Sequence, residues 1–146
     1  MELAANVRTK PTLPNWLKRI PLISLLFNQT AQGVFGNIYM PKEVINDLKS
    51  QHPSPYNVSL LIHEEIHLNR QRKVGCVKWI INYIFLPKFR LKEELIARKK
   101  QMRYIKMQKL SYPFEQQAKF LSSWVYLWPA DYISVLKELK RNWEEL

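Results

Sequence analysis

Residues 63–67 read His-Glu-Glu-Ile-His, the pattern H-E-x-x-H. On a helix, positions i and i+4 lie one turn apart on one face, so His63 and His67 can converge on a single ion. Glu64 follows the first histidine and stands beside the position that a catalytic zinc keeps open for water. The chemistry implied is zinc-assisted hydrolysis, with Zn²⁺ on His63 and His67 and Glu64 as general base. The chain holds three histidines in all. Multiplying residue frequencies over all windows gives a chance occurrence of this pattern well under ~1%. The competing reading is an ordinary helix with two surface or core histidines. A purely structural zinc fits less well, because such sites are usually closed by four ligands and rich in Cys.

Two histidines leave a third ligand to find. No His follows His67. His52 lies upstream in a Pro-rich loop, and Cys76 comes so soon after the motif helix that reaching back is awkward. A carboxylate from a second helix remains, and Glu93 and Glu94 stand 26 and 27 residues past His67. Glu94 is preferred over Glu93. It has Ala97 at i+3, a small residue that lets two helices approach, whereas Glu93 lies roughly 100° around the helix and is expected at the surface. A donor for a tetrahedral oxyanion is also needed, and Tyr83, Tyr104, Arg70 and His52 are the candidates.

The elements that must carry these residues are mostly helical. Asn57 is expected as the N-cap of a helix from Val58 to about Lys73, ended by Gly75. Val77–Leu86 reads as helix, with Trp79 and Tyr83 four apart, broken by Pro87. A strong helix is expected from Arg90 or Leu91 to Lys109, with Leu91, Leu95, Met102 and Ile105 as its apolar stripe. Ser111-Tyr112-Pro113 interrupts, and Phe114–Leu127 and Ala130–Glu145 read as two further helices. Upstream, residues 1–14 read as a loose arm and Trp16–Phe27 as a short helix. Gln32–Met40 reads as a strand or hairpin ended by Pro41, followed by a short helix over Lys42–Ser50. The aromatic run Trp124, Tyr126, Leu127 and Trp128 is expected to complete a small core. The fold class is α+β, a small and mostly helical domain with a short sheet or hairpin beside the motif helix.

At 146 residues with 47% hydrophobic content, the chain fits one domain, 1–146, able to build a core without disulfides. Cys76 is the single cysteine, which excludes an internal disulfide and a Cys-rich zinc site. No apolar run approaches the ~20 residues of a membrane span, and Met1–Lys10 lacks the pattern of a secretory signal. A soluble, cytoplasmic protein is expected. The formal net charge of +11 suits nucleic acid, anionic lipid or an acidic partner, or simply solvates helix faces.

The motif with the later Glu94-Leu95-Ile96-Ala97 resembles the gluzincin pattern, H-E-x-x-H followed by E-x-x-A. The short chain is similar to the minimal soluble members, the minigluzincins, over roughly residues 33–108. Gly36-Asn37-Ile38-Tyr39-Met40-Pro41 matches the upstream strand, and Arg70-Gln71, Trp79, Tyr83, Pro87 and Arg90 match flanking positions. The resemblance implies a zincin-like domain in which His63, His67 and Glu94 bind zinc and Glu64 is the base. It also implies that Ile38 and its neighbours line a strand edge holding an extended peptide substrate. One position departs. Larger gluzincins often place Asp directly after E-x-x-A to support a ligand histidine, and Arg98 stands there here, so that support must come from elsewhere. The expected function is a zinc metalloendopeptidase. The alternative is a zincin-fold binding protein without proteolytic activity, whose basic surface takes nucleic acid or an acidic protein.

Overall fold

The computed structural model describes residues 6–10, 31–123 and 129–146. The helix expected over Trp16–Phe27 and the run Trp124–Trp128 lie outside the described residues. Within the described residues the expected class holds: a mostly helical α+β domain with one small sheet.

Three short strands form that sheet: β1 (Val7–Thr9), β2 (Gln32–Val34) and β3 (Asn37–Met40), in the order β1-β3-β2. β2 and β3 form the expected hairpin, pairing Gly33 with Ile38. Phe35 and Gly36 make its two-residue turn at φ 49° and 78°, the backbone that a right-twisted hairpin prefers. β1 corrects the expectation of a loose arm. It pairs parallel to β3, Val7 beside Ile38 and Thr9 beside Met40. Ile38 is therefore on the central strand and fully buried, not on an edge. Among the described residues the edges are β1 and β2.

Helix α1 spans Lys42–Leu48 and α2 spans Pro55–Val74. Helix α2 starts three residues before the expected Val58, because Pro55 takes the first turn, where a missing N–H costs nothing. Asn57 is not its cap. Its amide donates to Asp47 Oδ2 at 2.8 Å, and the same oxygen accepts the Ser54 N–H at 2.9 Å. Asp47 thus ties the end of α1 to the start of α2. Gly75, at φ 94°, ends α2 and turns the chain into α3 (Cys76–Phe85). Pro87 ends α3 but also opens α4 (Pro87–Met107), so α4 begins earlier than Arg90. Helices α5 (Phe114–Leu121) and α6 (Tyr132–Glu144) complete the described chain.

Two apolar clusters hold these elements. Ala31, Ile38, Met40, Ile45, Leu48, Leu61 and Leu68 pack the sheet and α1 onto α2. Met102, Ile105, Tyr112, Ala118, Leu121, Val135 and Leu139 pack α5 and α6 onto the second half of α4. Leu91 and Leu95 of the first half of α4 pack against this second cluster too, and α4 also packs on α2; Ala97 is fully buried. No described helix is long and apolar enough to cross a membrane.

Candidate metal centre

Helix α2 lays His63, Glu64 and His67 on its buried side, with Leu61, Leu68 and Gln71. Helix α4 presents Glu94 to them across the junction. The two Nε2 atoms stand 3.0 Å apart. The Glu94 carboxylate lies 3.5 Å from His63 Nε2 and 3.2 Å from His67 Nε2. All three side chains are buried. Ligands around ~2.05 Å from a tetrahedral zinc are separated by about 3.3 Å; the spacings here are close to that, with His63 nearest Oε2 and His67 nearest Oε1 of the carboxylate. Two imidazoles and a carboxylate are also the donor set of an open catalytic zinc site rather than a closed structural one. The residues present therefore fit zinc.

The three groups are electrostatically coupled. Burial alone pushes His67 down, but the hydrogen bond and charge of Glu94, with Glu64 and Glu93, hold its pKa above the usual value. Burial likewise pushes Glu94 up, and His63 and His67 outweigh it, so the carboxyl is held well below the ordinary range. Carboxylate charge concentrated among buried imidazoles is compensated by a proton, or by a metal that displaces it.

Support for the ligands comes from residues whose positions the sequence left open. Tyr83 does not serve as a free donor to a reacting group; its hydroxyl donates to Glu94 Oε1 at 2.5 Å. Tyr83 stacks on Trp79 with ring centroids 4.6 Å apart, and both rings adjoin His67. Arg98 also donates to Glu94, at 3.4 Å to Oε2. The support at this position thus falls on the carboxylate ligand. The Nδ1 atoms of His63 and His67 are buried with no hydrogen-bond partner among the described residues.

Glu93 corrects another expectation. It is fully buried, not at the surface. Arg70 grips it through Nε at 2.9 Å and a terminal nitrogen at 2.7 Å, and Trp79 Nε1 donates at 3.0 Å. Burial raises the Glu93 carboxyl, and Arg70 and Trp79 overcome that and hold it low. Glu93 thus fastens α4 to α2 and α3, and Arg70 is committed to it. The metal-like cluster contains His63, His67 and Glu94 only; His52, which is exposed, and Cys76, whose thiol meets Gln71 Oε1 at 3.4 Å, are outside it.

Glu64 is 3% exposed, and its Oε2 accepts the Gly33 N–H at 2.6 Å. Gln71, two turns further along α2, donates to the Gly33 carbonyl at 2.6 Å. Both backbone groups of this edge residue are thus directed to α2. A Cβ at Gly33 would stand 2.8 Å from the Glu64 carbonyl oxygen, so the approach needs glycine. A glycine inside a strand is the sequence signal for such an approach. Lys10, just after β1, is close enough to Glu64 to feel its charge, while burial pushes the ammonium below its usual range. No protein-family model, curated protein or solved structure matches the chain.

Proposed function

We propose that the protein is a zinc-dependent endopeptidase in which His63, His67 and Glu94 hold the ion and Glu64 is the general base. The observation that carries this reading is the convergence of three buried donors from α2 and α4 at 3.0–3.5 Å, beside a second buried carboxylate. Zinc held there would supply Lewis-acid polarisation of a carbonyl and bring the pKa of water towards ~7. Two neutral imidazoles and one carboxylate leave the site a net positive charge for that purpose. Glu64 takes the proton of the attacking water and passes it to the leaving amine. The Gly33 amide occupies one lobe of that carboxylate and orients it, while an ionised carboxylate keeps lone pairs for the proton. Tyr83 and Arg98 hold Glu94 in place. The substrate of this reading is a peptide or protein.

The engagement of Glu64 by Gly33 also suits a second reading, a binding protein that has the zinc site without turnover and uses its basic surface for nucleic acid or an acidic protein. One experiment separates them. Zinc is measured in untagged protein and in Glu64→Gln, and both are incubated with unfolded casein. Near-stoichiometric zinc in both, with cleavage in the wild type only, supports the peptidase. Zinc in both with no cleavage by either favours the second reading. Less than about a tenth of an equivalent in the wild type removes the metal from both readings.

A further inference from the structure

Helix α3 is apolar on two opposite faces. Trp79 and Tyr83 are buried against the metal-bearing helices. Val77, Ile81 and Phe85 point the other way, and together with Leu86 they are 50–67% exposed. At 100° per residue the centres of these two faces lie about 180° apart. The outer face is therefore a stripe of large side chains that the described residues leave in water, about 15 Å long for ten residues at 1.5 Å each.

The chain segment that carries it is uniformly basic. Between Glu65 and Glu93 the sequence holds no Asp or Glu and seven Lys or Arg. Arg70 and Arg90 are engaged inside the fold. Arg72, Lys73, Lys78, Lys88 and Lys92 are exposed. Arg72 and Lys73 stand in the last turn of α2, at one end of the stripe, and Lys88 and Lys92 in the first turns of α4, at the other. An exposed apolar stripe framed by cations, with no anion among them, has the composition of a helix that lies in the plane of a lipid interface. A second copy fits poorly, because pairing this face with itself would bring the same cations together.

We propose that α3 docks the protein peripherally on anionic phospholipid membranes, with Val77, Ile81, Phe85 and Leu86 entering the headgroup–acyl boundary and the flanking Lys and Arg meeting lipid phosphates. This reading does not depend on the metal centre. It places the bilayer on the far side of α3 from Tyr83 and Glu94, so any substrate of that centre would be met close to a membrane surface. Each Lys or Arg near an anionic surface strengthens partitioning by about fivefold. Raising salt from ~0.1 M to ~1 M shortens the screening length from ~10 Å to ~3 Å and removes most of that gain.

The test is co-sedimentation of the full chain with vesicles of phosphatidylcholine and phosphatidylglycerol in equal parts, and with phosphatidylcholine alone. Binding to the anionic vesicles only, weakened by salt, is expected. Ile81→Ser with Phe85→Ser should lower it at least tenfold, and Lys78→Gln with Lys88→Gln also by at least tenfold. Both pairs lie on exposed positions, and circular dichroism shows whether each variant is folded. Absence of wild-type binding overturns the proposal. So does binding that survives the apolar pair unchanged, which would mark a general charge effect. A dimer in solution that becomes monomeric in the Phe85 variant, without vesicle binding, assigns the stripe to a second copy instead. Loss of zinc on chelation with vesicle binding intact separates failure of the metal reading from failure of this one.

Discussion

Replacing Gly33 by Ala adds one methyl group at the place where β2 touches the motif helix. Gly33 is not among the residues with positive φ, so Ala meets no backbone strain there. By restricting the unfolded chain the change would by itself stabilise the protein by about 0.4–1 kcal/mol. The contact decides the sign. The new Cβ falls 2.8 Å from the Glu64 carbonyl oxygen and 3.3 Å from Leu68 Cγ. The first is backbone inside a helix and cannot turn aside, so β2 must move outwards by several tenths of an ångström. That movement stretches two 2.6 Å hydrogen bonds, Gly33 N–H to Glu64 and Gln71 to the Gly33 carbonyl. A hydrogen bond to a charged group contributes about 1.5–3 kcal/mol, and losing most of one outweighs the entropic gain. The expected net loss is about 1–2 kcal/mol, or a Tm lowered by about 3–8 °C. Thermal unfolding followed by circular dichroism measures it, with the zinc-loaded and zinc-free forms melted side by side. Because the hydrogen bonds of Gly33 run to Glu64 and Gln71 rather than to the histidines, zinc content should stay near that of the wild type while peptide cleavage falls. An unchanged or raised Tm would refute the reasoning, since the strand could not then lie as close to α2 as these distances require.

Tyr83→Phe removes the hydroxyl that donates to Glu94 and should weaken zinc binding by about 10- to 100-fold, measured by competition with a chromogenic chelator; an affinity within twofold of wild type would detach Tyr83 from the ligand. Arg70→Met leaves the buried Glu93 with Trp79 as its remaining hydrogen-bond partner among the described residues. Breaking a fully buried pair costs about 3–5 kcal/mol, and because the Arg70 side chain is 30% exposed the expected loss is nearer ~2 kcal/mol. Urea denaturation checks this, and a change below about 0.5 kcal/mol would place the pair among ordinary surface interactions. Asp131 caps α6, accepting from the Ser134 hydroxyl and N–H at 2.6 and 3.0 Å, and these bonds lower its pKa. A lowered native pKa means stabilisation that is present above the unfolded value of ~3.9 and is lost as pH falls through the native one. The stability difference between wild type and Asp131→Ala should therefore be constant at neutral pH and vanish in acid, followed by denaturant titration at several pH values. A difference that persists in strong acid would contradict the cap.

The H-E-x-x-H spacing, the helix that carries it, the hairpin ahead of it and the helix bearing Glu94 were all legible in the sequence. Each rests on contacts within a few residues: i to i+4 geometry, a glycine turn, an apolar stripe at helical spacing. Where the local signals failed, distant partners were responsible. Val7–Thr9 is a strand only because residues some thirty positions later offer it an edge. Asn57 looked like a cap and instead serves Asp47. Glu93 and Glu94 are adjacent and chemically identical; Ala97 at i+3 favoured Glu94 as the ligand, but the same pattern placed Glu93 at the surface and gave no sign that it meets Arg70 and Trp79. The burial of Glu93 depends on the rotation of α4 against α2, which the grip of Arg70 helps to hold. Tyr83 appeared among several loose candidates for an oxyanion donor because a hydroxyl declares its chemistry but not its partner. By itself the sequence determined which residues could ligate a metal and on which helices they stand. Only the tertiary structure decided that the neighbouring Glu93 is buried on Arg70 and Trp79 and that Tyr83 serves Glu94, because the relative phase of helices is set by side-chain packing between segments far apart in the chain.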